Sequence, residues 1–174
     1  MKRKRLGVVF FAVCVLFLSG CANAMQEGVE HLEQKEYSEA VKSFETVIQD
    51  GKNVGKAYHG QGIAYWELKE YDKAKEALER ELENGVEGTA NLYQTLGDSC
   101  MQLEKYEEAL SSYWKGMACD GLTEEQLQDM LYNEVMAYEG LKDWDGAKVK
   151  MEAYVAKYPD DENAKKEAEF LETR

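Results

Sequence analysis

Within its 174 residues the chain sets 34 Asp and Glu against 21 Lys and Arg, a formal charge of −13. A surface of that sign repels phosphate backbones and anionic headgroups, which excludes nucleic-acid binding and electrostatic docking on a membrane. With only two histidines, it is also poorly supplied for acid–base chemistry.

Lys2, Arg3, Lys4 and Arg5 open the chain, and residues 6–18 form an uncharged, mostly apolar run. The run is shorter than the ~20 residues of a membrane-spanning helix and has the size of a secretory core. It ends in Leu18-Ser19-Gly20-Cys21, which resembles the lipobox of bacterial lipoproteins. The resemblance implies a signal peptide over residues 1–20 and a lipidated N-terminus at Cys21. An ordinary cleaved signal and an uncleaved anchor are the alternatives. Cleavage would remove four of the 21 basic residues and no acidic ones, leaving 17 against 34, a formal −17. In a cell with two membranes, Ala22 stands where inner-membrane lipoproteins carry aspartate, so the outer membrane is expected. In a single-membrane cell the domain would face outward.

Beyond the signal a pattern returns: Gly28, Tyr37, Ala40, then Gly62, Tyr71, Ala74, then Gly97, Tyr106, Ala109, at intervals of 34 and 35 residues. Val135, Trp144 and Ala147 repeat it after 38 residues without the glycine. Such a period denotes stacked helical hairpins. The units resemble the tetratricopeptide repeat, a helix-turn-helix of about 34 residues. The resemblance implies an all-α, right-handed α-solenoid of about four hairpins. The repeats cover about 21–54, 55–89, 90–127 and 128–159, followed by a C-terminal capping helix over 160–174. In such units the glycine and alanine lie where helix A crosses helix B, and the aromatic opens helix B. Phe44, Leu78, Tyr113 and Met151 are then wedges between repeats.

The helix pairs are predicted at about 23–35 with 38–49, 54–69 with 72–84, 89–103 with 106–118, and 124–140 with 144–157. Gly51, Gly85 and Gly121 are placed to leave helix B through positive φ. Thr123 and Gln126 have the spacing of a capping box, and Pro159 stops the last pair. The final helix carries Ala164, Ala168 and Leu171 on one face, as a solvating cap requires. Of the cysteines outside the signal and Cys21, Cys100 is expected to be buried. Cys119 is set roughly 15 Å from it along the hairpin, too far for a bridge.

No nucleophile elbow, phosphate-binding loop, zinc motif or calcium loop occurs, so neither enzyme chemistry, a metal nor a cofactor is expected. His31 maps to a packed core position and His59 to a more exposed one. The resemblance places ligands in the groove lined by helix A. There it projects His59, Ile63 and Trp66 from the second repeat, Asn91, Gln94, Asp98 and Met101 from the third, and Tyr132, Asn133 and Met136 from the fourth. Packing of Trp66 and Tyr132 against neighbouring repeats is the competing assignment. The positions that capture acidic tails in some relatives hold Met25, Val29, Gly60, Asn91 and Thr95. A neutral or basic protein or peptide is therefore the expected partner. The expected function is a membrane-anchored, non-catalytic adaptor or scaffold; a structural subunit of an envelope assembly, for outer-membrane protein insertion or pilus construction, is the alternative.

Overall fold

The computed structural model describes residues 23–174; the expected signal peptide, Cys21 and Ala22 lie outside the described residues. All regular structure among the described residues is helical. In chain order it comprises α1 (23–33), α2 (Tyr37–Asp50), α3 (Val54–Glu67), α4 (Tyr71–Glu83), α5 (Ala90–Gln102), α6 (Tyr106–Met117), α7 (Glu124–Gly140), α8 (Trp144–Lys157) and α9 (Glu162–Leu171). The helices form two compact units, one ending at Val86 and the other spanning Glu87–Arg174.

In the first unit, α2 shows how the pattern becomes a buried face. Its apolar residues Tyr37, Ala40, Val41, Phe44, Val47 and Ile48 recur at helical spacing, and Ala40, Phe44 and Val47 are buried. The Phe44 ring is pressed against two glycines. A Cβ on Gly28 of α1 would meet its ring at 2.6 Å, and one on Gly60 of α3 at 2.3 Å. The close approach of three helices therefore rests on the absence of two side chains. Gly62 makes the equivalent contact with Leu78 of α4.

The second unit repeats the device with different residues. Gly97 of α5 lies against Tyr113 of α6, and Gly116 lies against Met130 of α7. In the fourth hairpin Val135 replaces the glycine; it and Met151 are both buried in a core with Ala147, Tyr154, Ala164 and Leu171. That core holds α9 on α8, so the last helix covers the end of the apolar layer.

The hairpin turns are all alike. Lys35, Lys69, Glu104 and Lys142 adopt left-handed backbone, with φ of 61°, 60°, 56° and 60°. Two bonds then close each helix end: in the first turn the Lys35 N–H reaches the Leu32 carbonyl and the Glu36 N–H the His31 carbonyl. The same pair recurs in the other three turns, a Schellman closure without its customary glycine. It shortens the first two A helices by about one residue pair relative to the sequence expectation: they end at 33 and Glu67, because Lys35 and Lys69 turn left-handed. The junctions between hairpins do use glycine, with φ of 77° at Gly51 and Gly85 and 75° at Gly121. Thr123 and Gln126 form the expected capping box on α7.

Candidate functional site

The α5–α7 register brings Gln94, Asp98, Tyr132 and Asn133 to one cavity of about 430 Å³ in the second unit. Gln128, Asp129, Tyr154, Asp161 and Asn163 complete its lining. α5 provides Gln94 and Asp98 one turn apart. α7 provides Gln128 and Asp129, then Tyr132 and Asn133 one turn on. Tyr154 comes from α8, and Asp161 and Asn163 from the start of α9. Asp161 is there because it caps that helix, its Oδ1 accepting from the N–H groups of Asn163 and Ala164 at 3.0 Å each.

The walls are held by their own hydrogen bonds. Tyr113 donates its hydroxyl to Asp98 Oδ1 at 2.7 Å, and Asn133 Nδ2 donates to the same oxygen at 3.0 Å. Gln94 donates to Asp129 Oδ2 at 3.3 Å. The Tyr154 hydroxyl accepts from Gln128 at 3.0 Å and donates to Asp161 Oδ2 at 2.9 Å. The ring of Tyr132 stands edge-on to that of Tyr154, with centroids 5.5 Å apart. Such packing fixes both rings before any ligand arrives.

The electrostatics are one-sided, since the lining holds three aspartates and no lysine or arginine. Burial holds the Asp98 carboxyl above the usual aspartate range; Tyr113 and Asn133 oppose this, and the charge of Asp129 adds to it. Asp161 is shifted the other way, chiefly by the Ala164 N–H and then by Tyr154. Burial raises the pKa of both Tyr132 and Tyr154, keeping them neutral hydrogen-bonding groups. Among the described residues no group of three or more His, Cys, Asp or Glu is placed to hold a metal. The cavity is an acceptor-rich, aromatic recess.

The other expected groove residues lie elsewhere. Asn91 is exposed on α5, Met101 packs against the core around Cys100 and Tyr113, and Met136 is half-buried on α7; none lines the cavity. His59, Ile63 and Trp66 belong to the first unit. The Trp66 ring packs on Tyr71 at 5.0 Å, and Ile63 is half-buried. His59 is turned onto α4, its Nδ1 2.9 Å from Oε2 of the buried Glu81. His31 is not a core residue. It is half-buried beside the first hairpin turn, with Nδ1 2.6 Å from Glu36 Oε2, because the Schellman closure brings Glu36 back over it. Of the residues the groove register did not supply, Gln128 and Asp129 precede Tyr132 and Asn133 by four positions, so helical spacing marks them. Tyr154, Asp161 and Asn163 carry no such mark.

The His59–Glu81 pair makes the first unit sensitive to pH. The hydrogen bond to Glu81 raises the His59 pKa against the opposing effect of burial. A raised folded pKa means that the stabilisation is fully present below the unfolded value of about 6.5 and is lost as pH rises through the folded value. Urea melts between pH 5.5 and 9, read on amide exchange in α3 and α4, are expected to show this decline. In His59→Gln the profile should be flat; an unchanged slope would exclude the pair as its source.

Among the described residues no helix is long and apolar enough to cross a membrane. The tetratricopeptide-repeat family matches residues 25–86, 59–115 and, through a second family model, 129–161. No curated protein sequence matches the chain. Several solved structures share the fold. A crystal structure of MamA superposes with a TM-score of 0.74 at 16% identity, covering 87% of this chain and 80% of that one. MamA 41-end from Desulfovibrio magneticus RS-1 gives 0.74 at 17% identity, covering 89% and 85%. YrrB, described as a TPR protein with an unusual peptide-binding site, gives 0.72 at 20%, covering 85% and 74%. With over half its length matched by one family model and its helices paired in the family's manner, the chain belongs to the tetratricopeptide-repeat family.

Proposed function

We propose that this protein is a non-catalytic, lipid-anchored adaptor that binds a neutral or basic peptide segment of a partner protein in the cavity between α5, α7 and the start of α9. The carrying observation is the lining itself: amides, two braced tyrosines and three aspartates, with no basic side chain among them. Braced aromatic rings supply contact area at small entropic cost, and amides satisfy the backbone of an extended chain. The aspartates select against acidic segments. That YrrB shares the fold and carries a peptide-binding site supports the class of ligand. Cys21 would hold the adaptor on the outward side of the cell membrane, or on the outer membrane where the cell has one.

The test uses the full chain in detergent and three fluorescein-labelled peptides of alanine and glycine. Their central residue is arginine, its neutral isostere citrulline, or glutamate. Fluorescence anisotropy should rank arginine above citrulline above glutamate. Asp98→Asn keeps a side-chain oxygen for Tyr113 while removing the charge. It should weaken the arginine peptide about tenfold, the worth of one partly buried charge-assisted bond, and leave the citrulline peptide unchanged. Equal affinity for all three peptides would sink the assignment of ligand to this cavity.

A further inference from the structure

Phe44, Leu78, Tyr113 and Met151 hold one register position on their B helices, each almost wholly buried. Three of these side chains offer only packing. Tyr113 alone carries a hydroxyl, and it reaches through the hairpin to the wall of the cavity. Both protein donors to Asp98, the Tyr113 hydroxyl and Asn133 Nδ2, meet on Oδ1. Oδ2 receives neither of them, and Asp98 lines the cavity. Asp129 is arranged alike, its Oδ2 taken by Gln94.

We propose that Tyr113 is a positioning residue for ligand recognition: its buried hydroxyl anchors one oxygen of Asp98 so that the other is presented to a cationic side chain of the bound peptide. The inference rests on the peptide-binding reading of the cavity. It adds that charge selectivity is set from the core, by a residue that never touches the ligand. A guanidinium is the group best suited, because its planar donors can reach a fixed carboxylate oxygen while its face lies along a tyrosine ring.

The groups that face Asp98 fix the direction of the pH effect. Tyr113 from α6 and Asn133 from α7 donate to it, and Asp129 from α7 repels it. Gln94, Gln128, Tyr132, Tyr154, Asp161 and Asn163 share the cavity without supplying a cation. Cys100, on α5 itself, acts on Tyr113. A cationic ligand needs Asp98 ionised, so capture fails as pH falls through the Asp98 pKa. Removing the Tyr113 hydroxyl takes away a donor to the ionised form, which moves that pKa up and the failure to higher pH.

Tyr113→Phe keeps the ring that packs on Gly97, so the wedge survives. Two measurements are made on the full chain in detergent. One is the ¹³C titration of the Asp98 carboxyl, and the other is anisotropy of the arginine peptide from pH 3.5 to 8 against its citrulline control. Both midpoints should move to higher pH in Tyr113→Phe, and at pH 8 the arginine peptide should weaken by about threefold or more while the citrulline peptide is unchanged. A titration that does not move would overturn the anchoring. A titration that moves while the capture profile does not would show that recognition ignores Asp98. Equal loss of the arginine and citrulline peptides at every pH would make Tyr113 scaffold only. If wild type fails to discriminate arginine from citrulline, the cavity's assignment as a peptide site falls and takes this inference with it, while the titration still reports on the hydrogen bond.

Discussion

Phe44→Ala is expected to cost the first unit about 3–5 kcal/mol, the range for removing a buried aromatic ring. The site is unusually unable to collapse after the loss. Its ring is the contact surface for Gly28 on α1 and Gly60 on α3, and glycine has no side chain with which to fill a void. The reverse change tests the same contact. A Cβ at Gly60 would come within 2.3 Å of the ring's Cζ, so Gly60→Ala forces the ring or the helices apart, costing about 1–3 kcal/mol. Combining Gly60→Ala with Phe44→Leu should recover part of that loss, a coupling of about 1 kcal/mol or more. Urea melts followed on the amides of α1–α4 would read Phe44→Ala, Gly60→Ala, Phe44→Leu and the double variant. Additive losses, or a Phe44→Ala cost below about 1 kcal/mol, would show that the three helices do not depend on this contact.

The same residues explain why the fold could be read ahead of the site. A repeat writes its rules several times over: the spacing of Gly28, Gly62 and Gly97 sets a register, and that register gives the helix pairs, the wedges and the glycine exits. Lys35, Lys69, Glu104 and Lys142 escaped this logic, although they recur at one place, two positions before the aromatic that opens helix B. Lysine and glutamate do not advertise left-handed backbone, so the Schellman closures were invisible until the carbonyls of His31 and its counterparts could be followed. Gly60 is a second case. Its position reads as part of a ligand groove, yet its contact is Phe44 of the preceding hairpin.

Legibility of the site divides along chemical lines. Gln94, Asp98, Tyr132 and Asn133 share the helix A face, which the repeat register identifies. The register does not say where a side chain turns once a neighbour competes for it. His59 faces a buried carboxylate on α4 and pairs with it, and Met101 finds core. Tyr154 and Asp161 enter the cavity for reasons that belong to the end of the array. Tyr154 is a buried helix B residue with a polar tip, and Asp161 is the cap of a helix that is not part of a repeat. A cavity assembled by a terminal cap has no counterpart in the repeats before it, so periodicity cannot announce it.

Cys21→Ser should abolish the membrane-bound, processed form altogether, because the thiol of Cys21 is the group that would carry the lipid. Two acyl chains anchor a protein stably, at about 0.8 kcal/mol per buried methylene, whereas the domain they would hold carries a formal −17 and is repelled by anionic headgroups. Helix is already formed at residue 23, so an anchor on Cys21 would have one residue of spacer, Ala22, and the first hairpin would ride at the membrane surface. Fractionation with a high-salt wash, combined with labelling by radioactive palmitate, separates the three readings of the N-terminus. A lipoprotein gives labelled wild type in the membrane and an unlabelled, unprocessed variant. An ordinary signal leaves both proteins cleaved and soluble, and an uncleaved anchor leaves both in the membrane at full length. The lipid-anchored proposal stands on the first pattern: the second sets the adaptor free in solution, without the high local concentration at one surface that a lipid would provide, and the third makes the anchor peptide rather than lipid.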